Sequence, residues 1–184
     1  MMILASQSPR RRELLSLVQH QFQVRPADID ETLLPNELAR EYVRRLAKEK
    51  AMVVAAMTHQ TDLVIGADTS VSIDGLILNK PHDFDDFLRM MKLLSGKTHQ
   101  VYTGICVAIG PKLLDKVVRT DVTFRESSVQ ERIDYWKSGE AKDKAGGYGI
   151  QGLAARFVAS IHGSYTNVVG LPLVELEDLI RRAT

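Results

Sequence analysis

Three arginines, Arg10, Arg11 and Arg12, follow Ser8 and Pro9 in the stretch ASQSPRRREL, where an apolar-periodic run through Leu14, Leu15 and Val18 announces a helix. Ser8 is a natural N-cap and Pro9 a natural first helical residue. The first turn of a helix carries partial positive charge and prefers acids, so each cation there costs about 0.3–1 kcal/mol. Residues four apart share a helix face, which sets Arg10 and Arg11 above Leu14 and Leu15, toward the buried side. Arg12 lies above Ser16, near Gln19 and His20, and faces water. Two inward guanidiniums beside the free N–H groups of a helix start make a phosphate site, and a bound phosphate reverses the unfavourable dipole interaction.

Other charged residues sit where apolar ones are expected. In the series Val43, Leu46, Lys50, Val54, an ammonium occupies the apolar stripe of a helix, while Arg44, Arg45 and Lys48 point elsewhere. Such a lysine either snorkels to the surface or meets an anion in a cleft. Asp68 follows the apolar run LVIGA, which places a carboxylate at the end of a strand among small residues. It is either a turn-forming aspartate or a group that holds a divalent ion or takes a proton from water. Lys80, held by Pro81, is a further cation. The acidic loop Asp28, Asp30, Glu31 is either a solvated face or a source of another metal ligand. In DKAGGYGIQG, four glycines let backbone amides approach a ligand, and Gln151 beside them carries the paired donor and acceptor that read a base edge. No P-loop, dinucleotide fingerprint or nucleophile elbow is present, and the five histidines lack metal-ligand spacing.

At 184 residues the chain is expected to form one domain over residues 1–184. A net charge of +1 supplies no global field for nucleic acid or acidic membranes, so anion binding has to come from local clusters. Cys106 lies in the apolar run GICVAI and is expected to be an inert core thiol. A lone cysteine fits a reducing compartment, MMILASQSP is too short for a signal peptide, and no apolar run approaches membrane-spanning length. These features predict a soluble, cytoplasmic protein.

The elements that must position these residues follow from local signals. Met2–Ala5 predicts a strand, followed by a helix from Pro9 to about His20 and a strand at Phe22–Val24. A long amphipathic helix is expected from about Asn36 to Met57. DLVIGADTSVSIDGLILNKP predicts a strand, a break at Gly-Ala-Asp-Thr, and a hairpin turning at Asp74-Gly75. Asp83 caps a helix ending at Ser95-Gly96. Two long strands meet at Gly110-Pro111, Ser128 caps a helix ending near Ser138-Gly139, LAARFVASIHG predicts a strand, and Pro172 opens a C-terminal helix. Mixed hairpins and helices imply an α/β domain with a mixed, partly antiparallel twisted sheet flanked by helices.

ASQSPRRREL, GADTSV, NKP, LSGKTHQVYTG, DKAGGYGIQG and GSYTNVVGLP resemble, in order and spacing, the Maf family of nucleoside triphosphate pyrophosphatases, from about Leu4 to Glu175. The resemblance implies a deep Maf/ITPase-like cleft and hydrolysis of a nucleoside triphosphate to the monophosphate and pyrophosphate, aided by Mg²⁺ or Mn²⁺. It implies that Asp68 is the proton acceptor, that Arg11, Lys50 and Lys80 are the phosphate-binding and catalytic basic residues, and that Glu31 is the acidic partner, with Glu31 and Asp68 toward the metal. Arg10, Thr69 and Gln151 at the positions linked to base choice are similar to the branch acting on dTTP and UTP. Ser8 would cap the helix that meets the phosphates. Family members are commonly homodimers. Gln7 departs from a frequent glycine, and Arg12 is an extra cation. The competing expectation is a nucleotide-binding regulator of cell division with little turnover. A nucleic-acid binder would need a basic stripe interleaved with aromatics, which is missing.

Overall fold

The computed structural model describes residues 1–184. Its seven-stranded sheet has the order β2-β1-β3-β5-β6-β7, with β4 paired to β3. β1 (Met2–Leu4) lies between β2 (Gln23–Val24) and β3 (Leu63–Ile73), parallel to both. From β3 outward the sheet is antiparallel, through β5 (Thr98–Ile109), β6 (Lys112–Phe124) and β7 (Val158–His162). The short β4 (Leu76–Leu78) closes the hairpin at Asp74-Gly75, whose positive φ values of 51° and 80° are those of the expected tight turn. The mixed sheet expected from the sequence is therefore present.

Helix α2 (Ala39–Ala55) covers one face, burying Ala47, Ala51 and Val54 against Ile3, Val64 and Cys106. On the other face, α1 (Pro9–Ser16) and α6 (Leu173–Ala183) bury Leu14, Leu15, Leu176 and Leu179 on Ile65, Ile105 and Val107. Around the far half of the sheet, α3 (Phe84–Leu94) and α4 (Val129–Lys137) pack with Phe124 and Phe157. Cys106 is fully buried, and burial pushes its thiol up to about 12, so it is inert as expected.

Several boundaries differ from expectation. α1 stops at Ser16, four residues short of His20. α2 starts at Ala39 because Asn36 adopts a left-handed φ of 60°, which no helix interior accommodates. Residues Leu153–Phe157 form a 3₁₀ turn, which confines the strand to Val158–His162, and α5 (Tyr165–Val169) lies where no helix was expected. The largest correction concerns Gly-Ala-Asp-Thr, which is not a break. β3 runs through it unbroken, paired with β5 from Val64↔Ala108 to Ser72↔Gln100, so Asp68 stands in mid-strand opposite Gly104.

Gly66 and Gly104 are small because α2 lies directly on them. A Cβ on Gly66 would collide with the carbonyl oxygen of Ala47 and sit 2.7 Å from the amide nitrogen of Ala51. One on Gly104 would collide with the carbonyl group of Val43. This close approach lets Lys50 reach the strand. Gly66→Ala is expected to destabilise the fold by about 1–3 kcal/mol, because backbone rather than a flexible side chain must move. Denaturant unfolding checks this, and an unchanged midpoint would refute the close-packing account.

Candidate active site

One cleft of about 960 Å³ opens between the N-terminus of α1, the 27–31 loop, α2, the centre of β3 and the 142–145 loop. Another hollow, of about 270 Å³ beside Gln19 and α6, contains none of the predicted residues. The cleft is lined by Ser8, Arg10, Arg11, Glu31, Lys50, Asp68, Thr69 and Lys80, so chemistry scattered over the first 80 residues converges there. Gln151 is not among the lining residues. It is exposed, because Gly152 packs on the Glu140 carboxylate and the Leu153 N–H donates to it at 2.9 Å, holding this segment outside the cleft.

Lys50 forms the cleft's ionic centre. Its Nζ lies 2.8 Å from Asp68 Oδ1 and 2.7 Å from Glu31 Oε1. Lys50 and Asp68 are each 8% exposed, whereas Glu31 lies at the solvent side. The choice between a snorkelling lysine and one that meets an anion is settled as the latter. Burial raises the Asp68 carboxyl above its ordinary value and outweighs the opposing charges of Lys50 and Arg11. Burial pushes Glu31 in the same direction, but the Lys50 hydrogen bond and the charges of Lys50, Lys80 and Arg11 together hold it below its ordinary value. Two carboxylates on one cation thus differ in basicity, and the deeper one is the better proton acceptor.

Ser8 caps α1 as expected, its hydroxyl accepting from the Arg11 N–H at 3.4 Å. The Arg11 side chain turns inward and is held at three points: Nε donates to the Gly170 carbonyl at 2.8 Å, Nη1 to Ser6 Oγ at 3.2 Å, and Nη2 to Thr69 Oγ1 at 3.0 Å. Burial lowers its affinity for the proton, opposed by Asp68; an arginine remains charged there. Thr103 Oγ1 donates to the Asn167 carbonyl at 2.9 Å, so in the 3.0 Å contact between Thr69 and Thr103 the proton comes from Thr69. The Thr69 hydroxyl proton is therefore already committed, and the hydroxyl orients Arg11. Arg10 is half-buried with Nη1 3.6 Å from Asp143 Oδ2, Lys80 is exposed without an ion-pair partner, and Arg12 faces solvent as expected.

Sequence reasoning singled out neither Ser6, Thr103, Asn167 and Gly170 as the supports of Arg11 nor Tyr42 as a cleft residue. The available signal was a hydroxyl inside the apolar strand run VYTGICV; the fully buried Asn167, whose amide donates to Val101 O and Thr120 Oγ1, lay in a motif noted only for resemblance.

The residues suit a divalent cation of the Mg²⁺ type. No group of three or more His, Cys, Asp or Glu side chains forms a protein cage. Glu31 Oε1 and Asp68 Oδ1 both meet Lys50 Nζ, which leaves the second oxygen of each carboxylate without a hydrogen-bond partner, and Mg²⁺ is typically bound by one or two carboxylates together with substrate phosphates. The lining carries six basic side chains, Lys142 and Lys144 joining the four already named, against four acids, Asp28, Glu31, Asp68 and Asp143. The cleft is thus more positive than the chain's overall balance suggests, which favours a polyphosphate.

The chain is similar to known proteins over nearly its whole length. The family model described as Maf-like protein matches residues 1–183. A relative named dTTP/UTP pyrophosphatase in Pseudoalteromonas atlantica is 48% identical, covering 99% of this chain and 96% of its own. One of the same name in Pseudoalteromonas translucida is 52% identical over 97% of this chain and 94% of its own, and one in Saccharophagus degradans is 51% identical over 96% and 86%.

Proposed function

The chain belongs to the Maf family, and from that premise we propose that it hydrolyses dTTP or UTP to the nucleoside monophosphate and pyrophosphate. The observation that carries this reading is the contact of buried Lys50 with both Asp68 and Glu31, inside a cleft whose rim is cationic. The amides at the Ser8 end of α1, with Arg11, Lys50 and Lys80, bind and orient the phosphate chain. Asp68 takes a proton from water, the water oxygen bonds to the α-phosphorus, and the bond from that phosphorus to the bridging oxygen breaks with pyrophosphate leaving. Positioning and charge stabilisation supply most of the acceleration. Asp68 and Glu31 would hold Mg²⁺ or Mn²⁺, which when bound neutralises phosphate charge. Arg10, Thr69 and Gln151 occupy the base-choice positions, and of these Arg10 and Thr69 line the cleft. No helix is long and apolar enough to cross a membrane, and the buried thiol of Cys106 suits a cytoplasmic setting.

A panel of canonical and modified triphosphates, assayed with Mg²⁺ and with Mn²⁺ for pyrophosphate against orthophosphate, tests the reading. Pyrophosphate is expected as the first product, with dTTP and UTP favoured over purine nucleotides. Orthophosphate as the first product, or binding with no turnover on any member of the panel, would overturn it. The second outcome would favour the regulator.

A further inference from the structure

Residues 26–33, which carry Glu31 into the cleft, make no backbone–backbone hydrogen bond at all. Ala27 and Ile29 rest against the core. What ties the Glu31 end down is the side chains of α2. The Tyr42 hydroxyl donates to the Glu31 carbonyl at 2.9 Å, and Arg45 Nη2 donates to the Thr32 carbonyl at 3.0 Å. Arg45 is itself fixed by a two-pronged pair with Glu37, at 2.7 and 2.8 Å, and its guanidinium carbon lies 5.7 Å over the Tyr42 ring. Glu37 Oε2 also accepts from the Leu34 N–H at 3.1 Å, closing the far side of the loop. Tyr42 is 5% exposed, anchored in the cluster with Val43 and Leu46, so its hydroxyl is presented from a rigid base. Three and eight residues on from Tyr42, the same helix supplies Arg45 and Lys50.

We propose that Tyr42 and Arg45 are positioning residues for Glu31: by holding two consecutive carbonyls of a loop that makes no backbone–backbone hydrogen bond, they keep the Glu31 carboxylate against Lys50 and beside Asp68. The phenol is suited to this as a neutral hydroxyl donor presented from a buried, packed ring. Its hydroxyl touches neither Lys50 nor the Asp68 carboxylate in the hydrogen-bond network, so it acts through the loop. The functional part of the proposal rests on the pyrophosphatase reading; the structural part does not.

The test uses Tyr42→Phe and, as a second variant, Arg45→Lys, each alone and combined with Glu31→Gln. In the metal-free full-length protein, backbone order parameters for residues 29–32 are expected to fall from the rigid range near 0.85 toward values below about 0.6 in Tyr42→Phe. In the turnover assay, kcat is expected to fall by on the order of tenfold to a hundredfold with nucleotide KM nearly unchanged, as for a misplaced catalytic group. In the Glu31→Gln background, Tyr42→Phe should add almost nothing, because the carboxylate it positions is gone. Unchanged order parameters overturn the proposal, as do losses that multiply in the double variant or a looser loop with unaltered kcat. A wild-type protein with no turnover defeats the functional reading, and the order parameters still decide whether the clasp exists.

Discussion

Asp68→Asn is expected to lower pyrophosphate release by about 10²–10⁴-fold while leaving the protein folded, the range that loss of a positioned general base produces. Asparagine keeps the size of the group and can still meet Lys50, so binding should suffer far less than kcat. The wild-type pH profile gives an independent check. Burial raises the Asp68 carboxyl, and the ionised form is the base, so kcat/KM should fall on acidification with a midpoint above the ordinary 3.8 of an aspartate. The Asn variant should lack that limb. The same residue gives a pH dependence of stability. Its contribution is fully present below the unfolded value and is lost as pH rises through the raised folded value, because the fold prefers the neutral acid. Glu31, held below its ordinary 4.5, acts oppositely: its contribution is present above that value and is lost as pH falls through the lowered one. Turnover by Asp68→Asn near the wild-type rate would remove Asp68 from the chemistry.

Lys50→Met should damage both fold and activity. Methionine matches the aliphatic stem but leaves Asp68 buried without its cation, and breaking a buried pair from one side costs about 3–5 kcal/mol. Glu31 can turn to water and adds little to that figure. For a chain of this length the melting temperature should drop by roughly 10 °C. Lys50→Met with Asp68→Asn should recover most of the lost stability, since no uncompensated charge remains, yet should stay inactive. Thermal melts of the two variants decide this. Equal melting temperatures for wild type and Lys50→Met would mean that the pair holds nothing together, and a recovered rate in the double variant would detach it from catalysis.

What the sequence by itself determined here is local. Ser8 and Pro9 start α1, Asp83 and Ser128 cap their helices, Asp74-Gly75 turns a hairpin, and the spacing of Val43, Leu46 and Lys50 puts an ammonium on an apolar face. Each of these depends on residues a few positions apart, where backbone geometry and hydrogen-bond reach leave few choices. Sequence also showed that Arg11 and Lys50 are costly where they stand without a ligand or partner. The tertiary structure decided who those partners are. It ran β3 straight through Gly-Ala-Asp-Thr, because small Gly66 and Gly104 let α2 settle on the strand and bring Lys50 to Asp68. It made Thr69 a support for Arg11, left Gln151 off the cleft lining, and recruited Tyr42, Thr103 and Asn167. Partners from opposite ends of the chain, such as Arg11 and Gly170, meet only through strand order and helix packing. A pattern read along the chain carries no distance between such groups, and the burial that sets the basicity of Asp68 exists only once the sheet and α2 have closed around it.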